Sequence, residues 1–310
     1  MYTLDDIIAY ASARGEVSQT KTLYNNLSAY LVGKYGRKIR KICVDGGFTC
    51  PNRDGKCSVG GCIFCSERGS GEHIRAGLNI AEQVKDGLSR LKTGEGAIVY
   101  FQNFTNTYAP VPILKERYDS SLIDERIVAL AIGTRPDCIS EEICQLIASY
   151  RDRVDVWVEL GLQTSSDKTA QLINRGYKTE VFTEAARMLN EYSIPFVVHL
   201  MIGLPGEGDC ELLDTLRTVS SVKPFGVKLH SVYVCRGTVL EKMYLRGEYT
   251  PIDAETYVRR VITALTYLPK ETVIHRLTGD CPSELLVAPV WDIDKNTVIR
   301  LINQGLEGKV

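Results

Sequence analysis

"CPNRDGKCSVGGCIFC", residues 50–65, sets four cysteines within sixteen positions, just after a β-like run (IRKICVD, 39–45) and among glycines. Cys62 and Cys65 form a C-x-x-C pair, a spacing shared by redox dithiols, zinc half-sites and iron–sulfur sites. A thioredoxin-like pair needs no third partner. A structural zinc needs four ligands, usually as two close pairs, and the sequence has no second C-x-x-C or nearby His pair. Three cysteines on one loop leave one iron of a [4Fe–4S] cluster without a protein ligand and open to a substrate or cofactor. The third cysteine is then Cys50 or Cys57, with eleven or four residues between it and Cys62.

The bulk properties narrow the setting. The chain has 310 residues, 44% of them apolar and 24% charged, with net charge −1. These values suit one large or two ordinary soluble domains and give no global attraction to nucleic acid. The first ten residues, MYTLDDIIAY, are acidic and lack the pattern of an export signal. The longest apolar stretch, IPFVVHLMIGLP (194–205), is too short to span a bilayer. The expectation is a cytoplasmic protein with reduced thiols, so a disulfide framework is not expected. Cys43, Cys138, Cys144, Cys210, Cys235 and Cys281 are scattered singly and read as small buried side chains. One segment breaks the charge balance: residues 21–41 carry six Lys or Arg and no acid, interleaved with Tyr24, Tyr30 and Tyr35. It is either a solvated helix face or a phosphate-binding patch, with Lys34, Arg37, Lys38, Arg40 and Lys41 as RNA-binding candidates.

Six apolar strand-like runs, 39–45, 97–104, 127–133, 154–161, 195–202 and 226–234, alternate with amphipathic stretches such as 79–92, 140–151, 167–174, 180–192 and 209–221. Near-continuous apolar strands separated by helices predict parallel β/α units with both sheet faces covered, and hence a curved, open (β/α)6 barrel. The chain divides into a basic helical segment (1–38), the barrel (39–238) and a C-terminal capping extension (239–310) containing a short strand at 272–276. Chemistry in such folds sits on loops at the carboxyl ends of the strands. That rule gathers the cysteine loop, FQNFTNTY, GTRPD, LGLQTS, GLPGE and VCRGT on one rim.

At this point the residues resemble a known family. KICVDGGF, FTCPNRDG, GGCIFC, CSERGSGE, YFQNFTNTYAP, GTRPD, VELGLQT, HLMIGLPGE, VKLH and HRLTGD, in this order, resemble radical-SAM proteins of the YhcC/YtqA type, relatives of the catalytic subunit of Elongator. The resemblance runs through most of the chain. It implies a radical-SAM barrel, a [4Fe–4S] cluster on Cys50, Cys62 and Cys65 with Cys57 a bystander, and S-adenosylmethionine as second cofactor. It further implies that Phe64 shields the cluster and touches adenine. Gln102, Asn103 and Thr105 would cradle the methionyl amine, and Thr134 would meet the ribose. Gln163 and Arg175 would meet the ribose and methionyl carboxylate, and His199 the nucleoside. Lys228 and His230, alternating on the sixth strand, are candidates for catalysis or substrate binding. A buried Lys228 needs an anion, from a substrate or from Glu159.

For substrate, the resemblance points to transfer RNA. Elongator-type relatives act on wobble uridine, and some YtqA-type members resemble enzymes that trim its carboxymethylaminomethyl group to aminomethyl. The implied partners are transfer RNA and an electron donor such as flavodoxin or ferredoxin, with no membrane or DNA. The alternatives are radical-SAM chemistry on a metabolite or protein, a non-enzymatic metal module, and a thiol oxidoreductase using Cys62 and Cys65.

Overall fold

The computed structural model describes residues 23–69, 71–75 and 77–308, so the first 22 residues of the basic helical segment, including Lys21, lie outside the described residues. Seven parallel strands form one sheet. They are β1 (Ile39–Val44), β2 (Gly96–Phe101), β3 (Ile127–Thr134), β4 (Asp155–Gln163), β5 (Phe196–Ile202), β6 (Gly226–Ser231) and β8 (Val273–Arg276), in the order β1-β2-β3-β4-β5-β6-β8. The six sequence-predicted strands are all present, with β2 and β6 three residues shorter at their carboxyl ends. The addition is β8: the short strand of the extension pairs with β6 (Gly226 with Val273) and lengthens the sheet to seven strands.

The sheet is curled, and side chains show it. Lys41 on β1 and Lys228 on β6 both reach the carboxylate of Glu159 on β4. With strands about 4.8 Å apart, a flat sheet would separate β1 from β6 by about 24 Å. Ahead of β1 runs α1 (Leu27–Tyr35), and between the strands run α2 (Ile80–Leu88), α3 (Val111–Asp119), α4 (Glu141–Ala148), α5 (Asp167–Leu172), α6 (Thr179–Glu191) and α7 (Asp209–Ser221), followed by α8 (Val239–Leu245), α9 (Ala254–Tyr267) and α10 (Lys295–Leu306). Start signals in the sequence are used as written. Asn79 and Glu82 close a capping box on α2, and Asp253 and Asp294 cap α9 and α10. α6 buries Phe182, Ala185, Ala186 and Leu189, a 3–4 spacing that faces the sheet. These helices and the outer face of the sheet make the main core.

A second core fills the amino-terminal end of the barrel. Ile98, Tyr100, Ala129, Ala131, Trp157 and Val197 point inward, and Leu31 of α1 packs on them. Trp157 stands 6.2 Å from Phe225 and 6.0 Å from the His275 ring, and Tyr30 of α1 meets Phe225 edge-on at 5.2 Å. α1 also ties down the open edge, because Asn25 O accepts from the Ile274 N–H of β8 at 2.7 Å. This end is plugged. The carboxyl end is the one left for ligands.

Candidate active site

The cysteine loop leaves β1 and docks on the turn after α5. Asn52 Nδ2 donates to Asn174 O at 2.6 Å, Asn174 Nδ2 donates to Gly61 O at 2.8 Å, and the Ile63 N–H donates to Ile173 O at 3.1 Å. Asn174 does this with φ +52, a left-handed backbone that Asn accepts more easily than most residues. So held, Cys50, Cys62 and Cys65 line one cavity of about 420 Å³, the size of an ordinary small-molecule site. Cys57 does not line it. Its side chain is exposed, with Sγ 3.6 Å from the Asp137 carboxylate.

The cavity fits an iron–sulfur cluster. Arg53 Nη2 lies 3.2 Å from Cys65 Sγ, and Asn52 Nδ2 lies 3.6 Å from Cys62 Sγ, so each of these sulfurs faces a polar donor. Such contacts stabilise thiolate charge and tune a cluster's potential. Burial and the neighbouring Cys65 push the Cys62 thiol up to about 12, so its ligation would release a proton. Among the described residues no three His, Cys, Asp or Glu converge on a single ion. A [4Fe–4S] cluster takes one thiolate per iron and does not require its cysteines to meet at a point.

The strand ends bring most of the expected residues to the same cavity: Phe64, Gln102, Thr105, Thr134, Gln163, Arg175 and His199 line it. Gln163 ends β4 with φ +62, after an irregular register with β5, and a Cβ at Gly161 beside it would sit 2.6 Å from Gln163 Nε2. The left-handed backbone of Gln163 is strain of the kind that clusters at ligand sites, whereas a Cβ at Gly161 would meet only the movable amide end of Gln163. Thr105 is fully buried with no hydrogen-bond partner for its hydroxyl. Thr134 Oγ1 donates to Thr107 Oγ1 at 2.6 Å, because the Thr107 proton goes to Cys138 O. Asn103 differs from expectation: it is buried behind the cavity wall, not on it. Arg175 is fully buried, and four of its five N–H groups go to Leu162 O, Thr164 O, Tyr177 O and Thr179 Oγ1. It braces the end of β4, and its Nη2 also lies 3.6 Å from the Asp167 carboxylate, so the protein itself supplies the anion that the resemblance assigned to the cofactor.

Deeper in the barrel, charges gather around Glu159. Its carboxylate pairs with Lys228, accepts from His199 Nε2 at 2.8 Å and lies 3.4 Å from Lys41 Nζ. Lys228 thus takes its anion from the barrel. Burial alone would raise Glu159, but Lys228, Lys41 and His199 outweigh it and hold the carboxyl well below its usual range. Burial pushes the Lys228 ammonium down to about 7 against the pull of Glu159, with Lys41 adding to the effect. Burial and the charge on Lys228 hold His199 down, to about 4, so its imidazole is neutral at physiological pH. His230 stacks on His199 with ring centroids 5.2 Å apart, and its Nε2 is buried without a partner.

Lys41 corrects an expectation. It was grouped with a surface patch, yet the alternation of β1 turns it inward with Cys43 while Ile42 and Val44 face the outer core. The other candidates sit at the plugged end. Lys34 pairs with Asp155 at 2.7 Å, and Lys38 and Arg40 pair with Glu95 at 3.9 and 3.2 Å. Asp155 opens β4 and Glu95 precedes β2, so these ion pairs lie at the end opposite the cavity, and Arg37 belongs to the same stretch. In the other direction, Asn52, Arg53, Arg135 and Asn174 carry no expectation from the sequence, although the first three stand inside quoted stretches and Asn174 ends the amphipathic stretch 167–174. Arg135 is buried, donates to Asp137 Oδ1 and Oδ2 at 2.9 and 2.7 Å, and faces the cavity.

Known proteins share this arrangement. The Radical SAM superfamily matches residues 52–219 and the Radical SAM C-terminal domain matches residues 224–307. YtqA of Bacillus subtilis is 37% identical over 94% of this chain and 92% of its own length. A tRNA uridine(34) acetyltransferase of Methanocaldococcus jannaschii is 33% identical over 53% of this chain and 30% of its own length. The structure of Elp3 from the archaeon Methanocaldococcus infernus covers 87% of this chain and 63% of that one, with TM-score 0.68 at 21% identity, which speaks for the fold. Members of the superfamily use a [4Fe–4S] cluster and S-adenosylmethionine. A cysteine loop facing a cavity at the carboxyl ends of a parallel barrel, matched over both halves of the chain, has one reading: the protein belongs to the radical SAM superfamily, alongside YtqA and YhcC.

Proposed function

We propose that this radical-SAM enzyme acts on the wobble uridine of transfer RNA and converts carboxymethylaminomethyluridine to aminomethyluridine. The observation that carries the reading is the 33% identity to a tRNA uridine(34) acetyltransferase across 53% of this chain. The cavity chemistry agrees. Two lysines share the one carboxylate of Glu159 in its depth, while Arg276 on the same wall is paired with Asp280 at 3.7 Å, so the Glu159 group offers one cation more than it neutralises and suits a substrate that carries a carboxylate. Cys50, Cys62 and Cys65 would hold the cluster, and Gln163, Thr105 and Phe64 would contact the adenosyl cofactor. Bound together, those groups supply a 5′-deoxyadenosyl radical, an abstractor of hydrogen atoms, with electrons from a donor such as flavodoxin or ferredoxin.

The protein's own part is binding and exclusion. Lys228 and Lys41, held by Glu159, draw the substrate carboxylate inward and place the glycine-derived CH2 facing the cysteine loop. Neutral His199 and His230 line the path without adding charge. Thr134, locked on Thr107, and Arg135, locked on Asp137, keep the rim in place. Overall the secondary amine N–CH2–COO− would give one hydrogen atom to the adenosyl radical, one electron back to the cluster and one proton to solvent, and would then take up water, leaving the primary amine and a small aldehyde acid.

The test is mass spectrometry of modified nucleosides in transfer RNA from cells with and without the gene. Carboxymethylaminomethyluridine accumulating at the expense of aminomethyl derivatives supports the reading, and an unchanged profile refutes it. A second reading, radical chemistry on a small metabolite or protein, is favoured by the pairing of Lys34, Lys38 and Arg40 far from the cavity. A salt-sensitive gel shift of transfer RNA separates the two.

A further inference from the structure

Two cysteines that the sequence presents as unrelated meet on the cavity wall. Cys235 lies on β7 (Val234–Cys235), and Cys281 lies 46 residues later, before β9 (Leu286–Ala288). Their sulfurs are 2.9 Å apart, and both line the cavity that holds Cys50, Cys62 and Cys65. A disulfide bond is about 2.05 Å long, so closure asks for a movement of about 0.9 Å.

The flanking backbone is already set for it. β7 and β9 pair antiparallel, Val234 with Ala288 and Cys235 with Leu286, and the Arg236 N–H donates to Leu285 O at 2.7 Å. Thr238 Oγ1 donates to Cys235 O at 2.6 Å. On the other side, Lys295 Nζ holds Asp280 at 2.6 Å, next to Cys281. Both thiols are half-buried and reach solvent through the cavity. Burial raises both above the usual thiol range, so at neutral pH they stand as a protonated pair.

We propose that Cys235 and Cys281 are a redox-active dithiol, a thiol–disulfide modification site built into the cavity wall. Its oxidant class is the low-molecular-weight disulfides, such as oxidised glutathione. One cysteine loses its proton and attacks the glutathione disulfide, forming a mixed disulfide and releasing one glutathione thiolate, which takes up a proton. The second cysteine then attacks the mixed disulfide at the protein sulfur, releases the second glutathione and closes the Cys235–Cys281 bond. Two protein thiols are oxidised and one oxidised glutathione becomes two reduced ones. The bond ties the segment 279–285 to β7 and fixes one wall of the cavity. The assignment is independent of the substrate reading above.

The experiment treats the anaerobically purified, cluster-loaded full chain with oxidised glutathione, followed by denaturation, alkylation and peptide mass spectrometry. The expected result is loss of two hydrogen masses per chain and a crosslink between the tryptic peptides 229–236 and 277–295, both removed by dithiothreitol. The Cys235→Ser variant, checked for native circular dichroism, should lose the crosslink and stop at a glutathione adduct on Cys281. The proposal is overturned if wild type stops at glutathione adducts, or if the crosslinks formed involve Cys57 or Cys210 in place of this pair. It is overturned equally if Cys235→Ser still loses two hydrogen masses.

Discussion

The two ends of the barrel are built from the same strands and differ in whether they close on themselves or around a cavity. At the amino end, Trp157, Phe225, His275 and Tyr30 close ring against ring, with both His275 ring nitrogens buried and unpartnered, and Lys34, Lys38 and Arg40 each face a carboxylate. At the carboxyl end, the Thr105 hydroxyl and His230 Nε2 are buried without partners, Gln163 holds a left-handed backbone, and three thiols share a cavity. Unpartnered ring nitrogens occur at both ends, on His275 and on His230, so it is the strained backbone of Gln163 and the cysteine loop on one cavity that mark the ligand end. The contrast locates the chemistry at one end and the stability at the other. Each prediction below sets one end against the other.

The largest effect belongs to the cavity. Cys50→Ala, Cys62→Ala or Cys65→Ala each abolishes cluster assembly, measured as iron and acid-labile sulfide per chain, while Cys57→Ala leaves both unchanged. Loss of the cluster in Cys57→Ala with retention in Cys50→Ala would reassign the third ligand. Next comes the plug. Trp157→Ala opens a hole in the inner core and lowers unfolding free energy by about 3–5 kcal/mol, read by urea titration. Iron content of the surviving folded protein stays as in wild type, and a cluster lost along with the plug would mean that the two ends are not separable.

A smaller effect follows from pH. The folded pKa of His199 is lowered to about 4 from 6.5, so between these values the unfolded chain binds more protons and stability rises with pH. Glu159, held well below its ordinary value, and His230 and His275, lowered by burial, act in the same direction. The urea midpoint should fall as pH drops from 6.5 towards 4, and His199→Asn should remove part of that slope. A midpoint flat across this window would contradict the neutral imidazole. The smallest effect is at the plugged end. Lys34→Ala, Lys38→Ala and Arg40→Ala should each change stability by less than about 1 kcal/mol and leave any transfer RNA gel shift intact. A shift lost in these variants would move the RNA to the wrong end of the barrel.

The sequence carried the architecture well because each strand is a continuous apolar run bounded by turn residues. It carried the seventh strand less well, because VIHR in β8 is four residues long and half polar, and only pairing with β6 makes it part of the sheet. Lys41 was legible in principle: the period of two along IRKICV puts it on the face of Cys43. It was hidden by a run of cations that looks like a surface. Arg53 and Asn174 could be read only as parts of motifs, since their partners are a sulfur and the backbone of the cysteine loop, contacts that folding creates. Cys235 and Cys281 left no local trace at all, being joined by a two-strand pairing across 46 residues.

The most direct test of the account gives the reconstituted, reduced enzyme S-adenosylmethionine and transfer RNA bearing carboxymethylaminomethyluridine, under strict exclusion of oxygen. Both 5′-deoxyadenosine and the wobble nucleosides are then quantified. The account predicts 5′-deoxyadenosine formed together with aminomethyluridine, and neither in the Cys50→Ala protein. Cofactor cleavage with the wobble nucleoside untouched would contradict it.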